Sequence, residues 1–477
     1  MSYSLSVNKN ILEMEYAVRG PIPQRAAAMK KEGKPIIFCN IGNPQALGQA
    51  PISYYRQVVS LLEDPAKISR ERALKDIFEE SPASPLREDD FISDEVLNLS
   101  ETLLAKTGKG LGAYTESKGY AFVREAIADF INRRDGFVRG SNLAANPEHI
   151  FLTDGASDAA KRVLDLLIAQ KTDGVMIPIP QYPLYSASIK MFGGSQVNYY
   201  PDEENDWALN KTVLEDAYAN ATREGIHVKA IVVINPGNPT GAILDEKSIR
   251  DVIDFAKAHR LAIIADEVYQ ENLYGGKFIS FAKALGDEKE IPLFSLHSIS
   301  KGFYGECGHR GGYLEVRNPP ALAESSLNFV DLLLKQASVS LCANSVGQIL
   351  TYLMVSPPAG NSPVRAKFIA EKEKILSDLY EKATMVRAAF EKMDGMKVFG
   401  KTGAMYLFPR LEKLPAGTDD FDYCMALLEE TGLCTVNGSG FGLKNHLRIA
   451  FLPAKEELAE VLPRWIEFHN RYVNQQG

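Results

Sequence analysis

The chain has 477 residues, 45% of them hydrophobic and 24% charged, with a formal net charge of −8. That balance suits a soluble globular protein with a large core and more than one domain, and it argues against nucleic-acid or anionic-membrane binding, which need a basic surface. The five cysteines, Cys39, Cys307, Cys342, Cys424 and Cys434, are odd in number and include no Cys-x-x-Cys pair, so neither a disulfide framework nor a metal site is expected.

No uninterrupted apolar run approaches membrane-spanning length. The first twenty residues mix Glu13 and Glu15 with few basic residues and no apolar core, so neither a signal nor a transit peptide is expected and the cytoplasm is the expected compartment. Residues 1 to about 35 read as an arm, with Tyr16 to Pro21 leading into an amphipathic stretch that ends at Gly33-Lys34-Pro35. Ile36 to Phe38 then enters Asn40-Ile41-Gly42-Asn43-Pro44, a turn whose backbone N–H groups are free to meet a ligand. From Asp64 to Ser100 the chain is polar and charge-dense, with Ser81-Pro82-Ala83-Ser84-Pro85 inside it, and is expected to form surface helices and loops that supply little core. Gly108 to Gly119 is a glycine-rich loop carrying Tyr114 on a flexible support.

From Glu148 onward strand, turn and helix alternate, which predicts a mostly parallel sheet covered on both faces. His149 to Thr153 is a predicted strand, Asp154 to Asp158 the turn, and Ala159, Val163, Leu166 and Leu167 follow at helical spacing. The turn aims free N–H groups and the Ser157 hydroxyl outward at a helix N-terminus, a seat for phosphate that an ordinary N-cap would also explain. The strand Val175 to Ile179 carries Tyr182 just beyond its end. Lys229 to Ile234 ends in Asn235-Pro236-Gly237-Asn238-Pro239-Thr240-Gly241, and Leu261 to Ala265 delivers Asp266-Glu267-Val268-Tyr269. An ionised aspartate at the end of an apolar strand is costly unless a cation pairs with it, so Asp266 is a candidate functional group.

Ile291 to Leu296 is short enough for another buried strand, which puts Ser298-Ile299-Ser300-Lys301-Gly302 in the loop at its carboxyl end, where open α/β sheets bind ligands. In isolation Lys301 would pass for a solvated loop lysine. With Ser298, Ser300 and Arg310 around it, it has the parts to bind a phosphorylated aldehyde: an amine for a Schiff base, and two hydroxyls and a guanidinium fork for the phosphate. Cys307 lines that pocket or is simply a buried thiol. Gly311 to Val316 resumes the sheet. A helical region around Leu332, Leu333 and Leu334 follows, and from about 365 onward helices alternate with short strands, Met405 to Phe408 and His446 to Phe451 among them. Arg448 is a lone guanidinium in the last of these.

Together, Asn-Pro-x-Asn-Pro-Thr-Gly at 235–241, Asp266-x-x-Tyr269, Ser298-x-Ser300-Lys301, Arg310 and then Arg448 resemble, in kind and order, the active-site set of the fold-type I, class I/II pyridoxal-phosphate aminotransferases. Tyr16 to Pro21, Gly112-Ala113-Tyr114-Thr115 and Ser298 to Tyr313 look like the alanine aminotransferases within it. His309, just before Arg310, falls where variation is expected. The resemblance implies pyridoxal 5′-phosphate as cofactor, with Lys301 as its Schiff-base residue and proton shuttle, Asp266 facing the pyridine nitrogen, Tyr269 and Asn238 on the 3′-oxygen, and Tyr182 stacked on the ring. It implies a phosphate cradle of the Ala156 N–H, Ser157, Ser298, Ser300 and Arg310, with Tyr114 reaching in from a partner subunit. Arg448 would clamp the substrate α-carboxylate, with the Gly42 N–H nearby.

The expected fold is therefore α/β: an arm over residues 1–50 that joins the small domain, a polar segment over 51–100, a large cofactor-binding domain over 101–335 with a seven-stranded type of sheet, and an interdomain helix with a small C-terminal domain over 336–477. The expected reaction moves the amino group of alanine to 2-oxoglutarate in a homodimer with shared active sites, without metal, nucleic acid or membrane. The rivals are a glyoxylate-using aminotransferase, a lyase of the aminocyclopropane-carboxylate synthase type, and the cofactor-sensing domain of a transcription regulator. The last would bring a basic DNA-binding module, which this acidic chain lacks.

Overall fold

The computed structural model describes residues 4–14, 20–80, 85, 87, 90–322 and 325–474. Residues 16–19 of the alanine-aminotransferase-like stretch and 81–84 of the Ser-Pro run lie outside the described residues. A seven-stranded sheet organises the rest: β1 (Ile150–Thr153), β2 (Asp173–Pro178), β3 (Ser195–Tyr199), β4 (His227–Ile234), β5 (Ala262–Asp266), β6 (Leu293–Ser298) and β7 (Gly312–Arg317). Their order across the sheet is β1-β7-β6-β5-β4-β2-β3. β7 runs antiparallel to both β1 and β6, and the remaining pairs are parallel.

The apolar runs are nearly continuous because both faces of the sheet are covered. Along β4, Ile231 and Val233 enter one core with Ile249, Val252 and Ile253 of the helix Glu246–His259. The alternate residues Ala230, Val232 and Ile234 enter another with Ala159, Ala160, Val163 and Leu164 of the helix Ala156–Leu167. Asp245 starts the first of these helices by accepting the Ser248 N–H at 2.7 Å.

Two features differ from expectation. β3 was not predicted, because at the sheet edge its Gln196 and Asn198 face solvent and only Val197 and Tyr199 are buried. The stretch 64–100 is coreless only in part. The helix Ala66–Glu79 buries Ile68 alone, whereas the helix Asp94–Thr107 buries Val96, Leu97, Ser100 and Leu103 against Val58, Val123 and Ile127. Their spacing is helical, but the polar residues Asn98, Glu101 and Thr102 between them mask it.

Helices Pro363–Phe390, Asp420–Thr431 and Lys455–Val473 enclose a further core with the antiparallel strands β8 (Tyr406–Leu407), β9 (Val436–Asn437) and β10 (Leu447–Ala450). The N-terminal arm joins it. Ile37–Phe38 pairs in parallel with Leu433–Cys434, and Ile22, Ala26 and Met29 of the helix Pro21–Lys31 enter the same core. That pairing brings the turn at Gly42 over the carboxyl ends of β4, β5 and β6.

Candidate active site

A cavity of about 410 Å³ opens at those strand ends, a size suited to a small cofactor with its substrate. Its lining includes Asn238 from β4, Asp266 and Tyr269 from β5, Ser298, Ser300 and Lys301 from β6, and Arg310 ahead of β7. Ala156, Ser157 and Tyr182 complete that side, while Gly42 and Arg448 approach from the small-domain side. Of the predicted site residues, only Tyr114 is absent from it; its side chain is 80% exposed on the glycine-rich loop. Cys307 does line the cavity, its thiol 2.9 Å from the Ser300 carbonyl.

Three poles divide the cavity. The anion pole is the turn before the helix Ala156–Leu167. Arg310 Nη2 donates to the Asp154 carbonyl at 2.7 Å and to Ser157 Oγ at 3.1 Å. Gly155, at φ +84°, lets the guanidinium in; a Cβ there would lie 2.5 Å from Nη2. Asn344 holds both sides of this contact, donating to Asp154 Oδ1 at 2.8 Å and to the Arg310 carbonyl at 2.8 Å. His309 is more constrained than expected, its Nδ1 lying 2.8 Å from Glu306 Oε2, which also accepts from Arg56.

The cation pole is Asp266. Its Oδ2 accepts the Tyr185 hydroxyl at 2.7 Å, and its Oδ1 is buried without a hydrogen-bond partner. Burial pushes this carboxyl up to about 6, and the Tyr185 hydroxyl, the Val268 N–H and the Lys301 cation offset only part of that effect. A buried carboxylate oxygen without a partner, on a residue that lines the cavity, fits a cationic ring nitrogen.

The third pole faces the small domain. Lys301 Nζ donates to the Gly42 carbonyl at 2.7 Å. Arg448 is almost completely buried; Nη2 donates to the Asn40 carbonyl at 2.6 Å, Nη1 to Asn238 Oδ1 at 3.2 Å, and Nε has no partner. The guanidinium also lies over the Tyr406 and Phe441 rings at 4.4 and 4.8 Å. All these partners are neutral. A buried guanidinium so placed is costly until an anion arrives.

Tyr185 and Tyr406 are site residues that the sequence did not single out. Tyrosine is an ordinary core residue, so neither stood out, although a hydroxyl in the apolar run Met405–Phe408 is the same kind of signal that marked Arg448. Tyr406 crowds Gly42: a Cβ on Gly42 would lie 1.8 Å from Tyr406 Oη. Gly42→Ala must therefore displace the phenol or the turn, and overpacking of this kind costs about 1–3 kcal/mol. We expect Gly42→Ala to lower stability by about that amount, measured by denaturant unfolding.

Residues 88–464 match the family model described as aminotransferase class I and II. The chain belongs to that family. Relatives of this aminotransferase include glutamate–glyoxylate aminotransferase 2 of Arabidopsis thaliana, 41% identical over 98% of this chain and 96% of that protein. Alanine aminotransferase 1 of Homo sapiens is 41% identical over 98% of this chain and 94% of its own length. Among solved structures, an alanine aminotransferase from Pyrococcus furiosus superposes with a TM-score of 0.76 at 24% identity, covering 98% of this chain and all of that one. The aminotransferase therefore has the fold-type I architecture, and the three poles lie at the ends of its central strands.

Proposed function

We propose that this aminotransferase uses pyridoxal 5′-phosphate to move the amino group of L-alanine to 2-oxoglutarate. The observation that carries it is Arg448, a buried guanidinium with neutral partners only, in the same cavity as Lys301 and the unpaired oxygen of Asp266. The donor set fits the cofactor at each pole: Ser157, Ser298, Ser300, Arg310 and the helix N-terminus for the phosphate, Asp266 for the pyridine nitrogen, Lys301 for the aldehyde. Asn238 and Tyr269 fit the 3′-oxygen and Tyr182 the ring face. When bound, the cofactor supplies the electron sink for charge developing at the substrate α-carbon.

This chain's residues do the rest. Arg448 grips the α-carboxylate through its fork and so orients the α-carbon hydrogen toward Lys301. Lys301 Nζ takes that proton and returns it on the cofactor side. Asp266, ionised in a water-poor site, would keep the ring nitrogen of the bound cofactor protonated, so that the ring can accept that charge.

A half-reaction panel tests the reading. Alanine and glutamate are expected to change the bound cofactor's spectrum far faster than glycine, aspartate or phenylalanine; phenylalanine reacting as fast as alanine would overturn it. Lasting conversion of the cofactor to its amino form by alanine also excludes a simple lyase. The likeness to the plant glutamate–glyoxylate aminotransferase favours glyoxylate as a second acceptor to compare with 2-oxoglutarate. The proposed compartment is the cytoplasm, tested by fractionation.

We also propose a homodimer with shared sites. The Tyr114 loop is held along residues 338–348 by Ser338 Oγ to Ser117 Oγ at 3.1 Å and Gln348 Nε2 to Thr115 Oγ1 at 3.0 Å, and Tyr114, Val339 and Leu341 are all exposed there. In mixed dimers of Lys301→Ala and Tyr114→Ala chains, one site collects both defects and the other neither. A purified, differently tagged heterodimer is expected to show about half the wild-type activity. Activity no higher than the mean of the two parent homodimers would mean that Tyr114 does not cross between subunits.

A further inference from the structure

Tyr406 has no role in the chemistry so far, yet its hydroxyl sits among the groups that perform it. The Tyr269 hydroxyl donates to Tyr406 Oη at 3.2 Å and accepts from Asn238 Nδ2 at 3.4 Å. The two rings meet edge to face with centroids 5.9 Å apart. Lys301 Nζ and Tyr406 Oη crowd the same point over Gly42, lying 3.4 and 1.8 Å from where its Cβ would be. On the other side the Arg448 guanidinium covers the Tyr406 ring.

We propose that Tyr406 is a positioning residue: by accepting the single Tyr269 proton, its hydroxyl governs how strongly Tyr269 donates to the cofactor's 3′-oxygen, and so sets the pH at which the bound cofactor changes protonation. The inference rests on the cofactor reading above.

A phenol has one proton to give. Where Tyr269 spends it on Tyr406, it is withheld from the cofactor. The surroundings keep that proton on Tyr269. Burial pushes both phenols up, and for Tyr269 that effect dominates, with Tyr406, Tyr182 and Asp266 adding to it, so Tyr269 keeps its proton. For Tyr406 burial acts upward, but Lys301, Arg448 and the Tyr269 hydrogen bond act downward and prevail, so of the two phenols Tyr269 holds its proton the more firmly. The groups facing Tyr406 are Arg448, Tyr269, Cys307 and Lys301, whose amine is committed to the cofactor in the holoenzyme on the reading above, and the Tyr269 hydroxyl already donates to the Tyr406 oxygen.

Tyr406→Phe removes the acceptor and keeps the ring that Arg448 and Tyr269 pack against, so the fold is retained, as circular dichroism will check. Tyr269 then donates to the cofactor oxygen alone, which favours the deprotonated cofactor. The pH midpoint of the holoenzyme's visible absorbance is expected to move down by about half to one unit. Tyr269→Phe is expected to move it up. Because Tyr406 acts through Tyr269, adding Tyr406→Phe to Tyr269→Phe is expected to produce less than half the shift it produces alone. An unchanged or raised midpoint in Tyr406→Phe, or full additivity in the double variant, overturns the proposal. A wild-type protein that binds no cofactor and shows no absorbance transition would instead overturn the reading on which it rests.

Discussion

Lys301→Ala is expected to abolish transamination while leaving the protein folded. Lys301 lines the cavity together with Asp266 and Arg448, and its Nζ reaches the Gly42 carbonyl at 2.7 Å. No other lysine lines the cavity among the described residues. On the function proposed above, the variant loses both the covalent anchor for the cofactor and the base at the α-carbon. Positioned proton transfer alone contributes about a hundredfold to ten-thousandfold, so the loss is expected to reach about a thousandfold or more. Borohydride reduction of the wild-type holoenzyme followed by peptide mapping should label the peptide carrying Lys301, and the label should vanish in the variant. A reduced adduct on another lysine would remove Lys301 from its role and with it most of the proposed chemistry.

Six sheet strands announced themselves as short apolar runs because both faces of the sheet are buried, as alternate residues of β4 demonstrate. β3 did not, because an edge strand with one solvated face reads as polar. Asp266 was legible for the opposite reason: a charge at the end of an apolar strand is expensive, and the expense points to a partner, whereas Arg448 alone reads as a solvent-facing or ion-paired position and stands out only beside the other motifs. Tyr185, which holds one oxygen of Asp266, and Tyr406 carry no such cost as residue types, and only the fold brings them to the charges. The carbonyls of Asn40 and Gly42, which take the Arg448 and Lys301 donors, are backbone groups and have no sequence signature at all. Their position follows from the parallel pairing of Ile37–Phe38 with Leu433–Cys434, a contact between residues almost four hundred positions apart.

That geometry also makes Arg448→Ala a test of substrate binding in particular. Arg448 is held by neutral partners, so truncating it strands no buried carboxylate, and the Asn40 carbonyl and Asn238 amide lose one partner each. The cofactor poles at Arg310 and Asp266 are untouched, so cofactor affinity and the holoenzyme spectrum should persist. The substrate carboxylate, on the function proposed above, loses its charged partner in a desolvated site, which costs about 2–5 kcal/mol. We expect kcat/KM for alanine to fall on the order of a hundredfold or more. Arg448→Lys separates charge from geometry: it restores a cation but not the two-pronged fork, and it should recover part of the loss through KM. Because Arg448→Ala also leaves a void beside Tyr406 and Phe441, thermal stability is measured alongside, and a fall in Tm without a fall in kcat/KM would assign the residue to packing alone. Alanine turnover within a few-fold of wild type would mean that the carboxylate is bound elsewhere in the cavity.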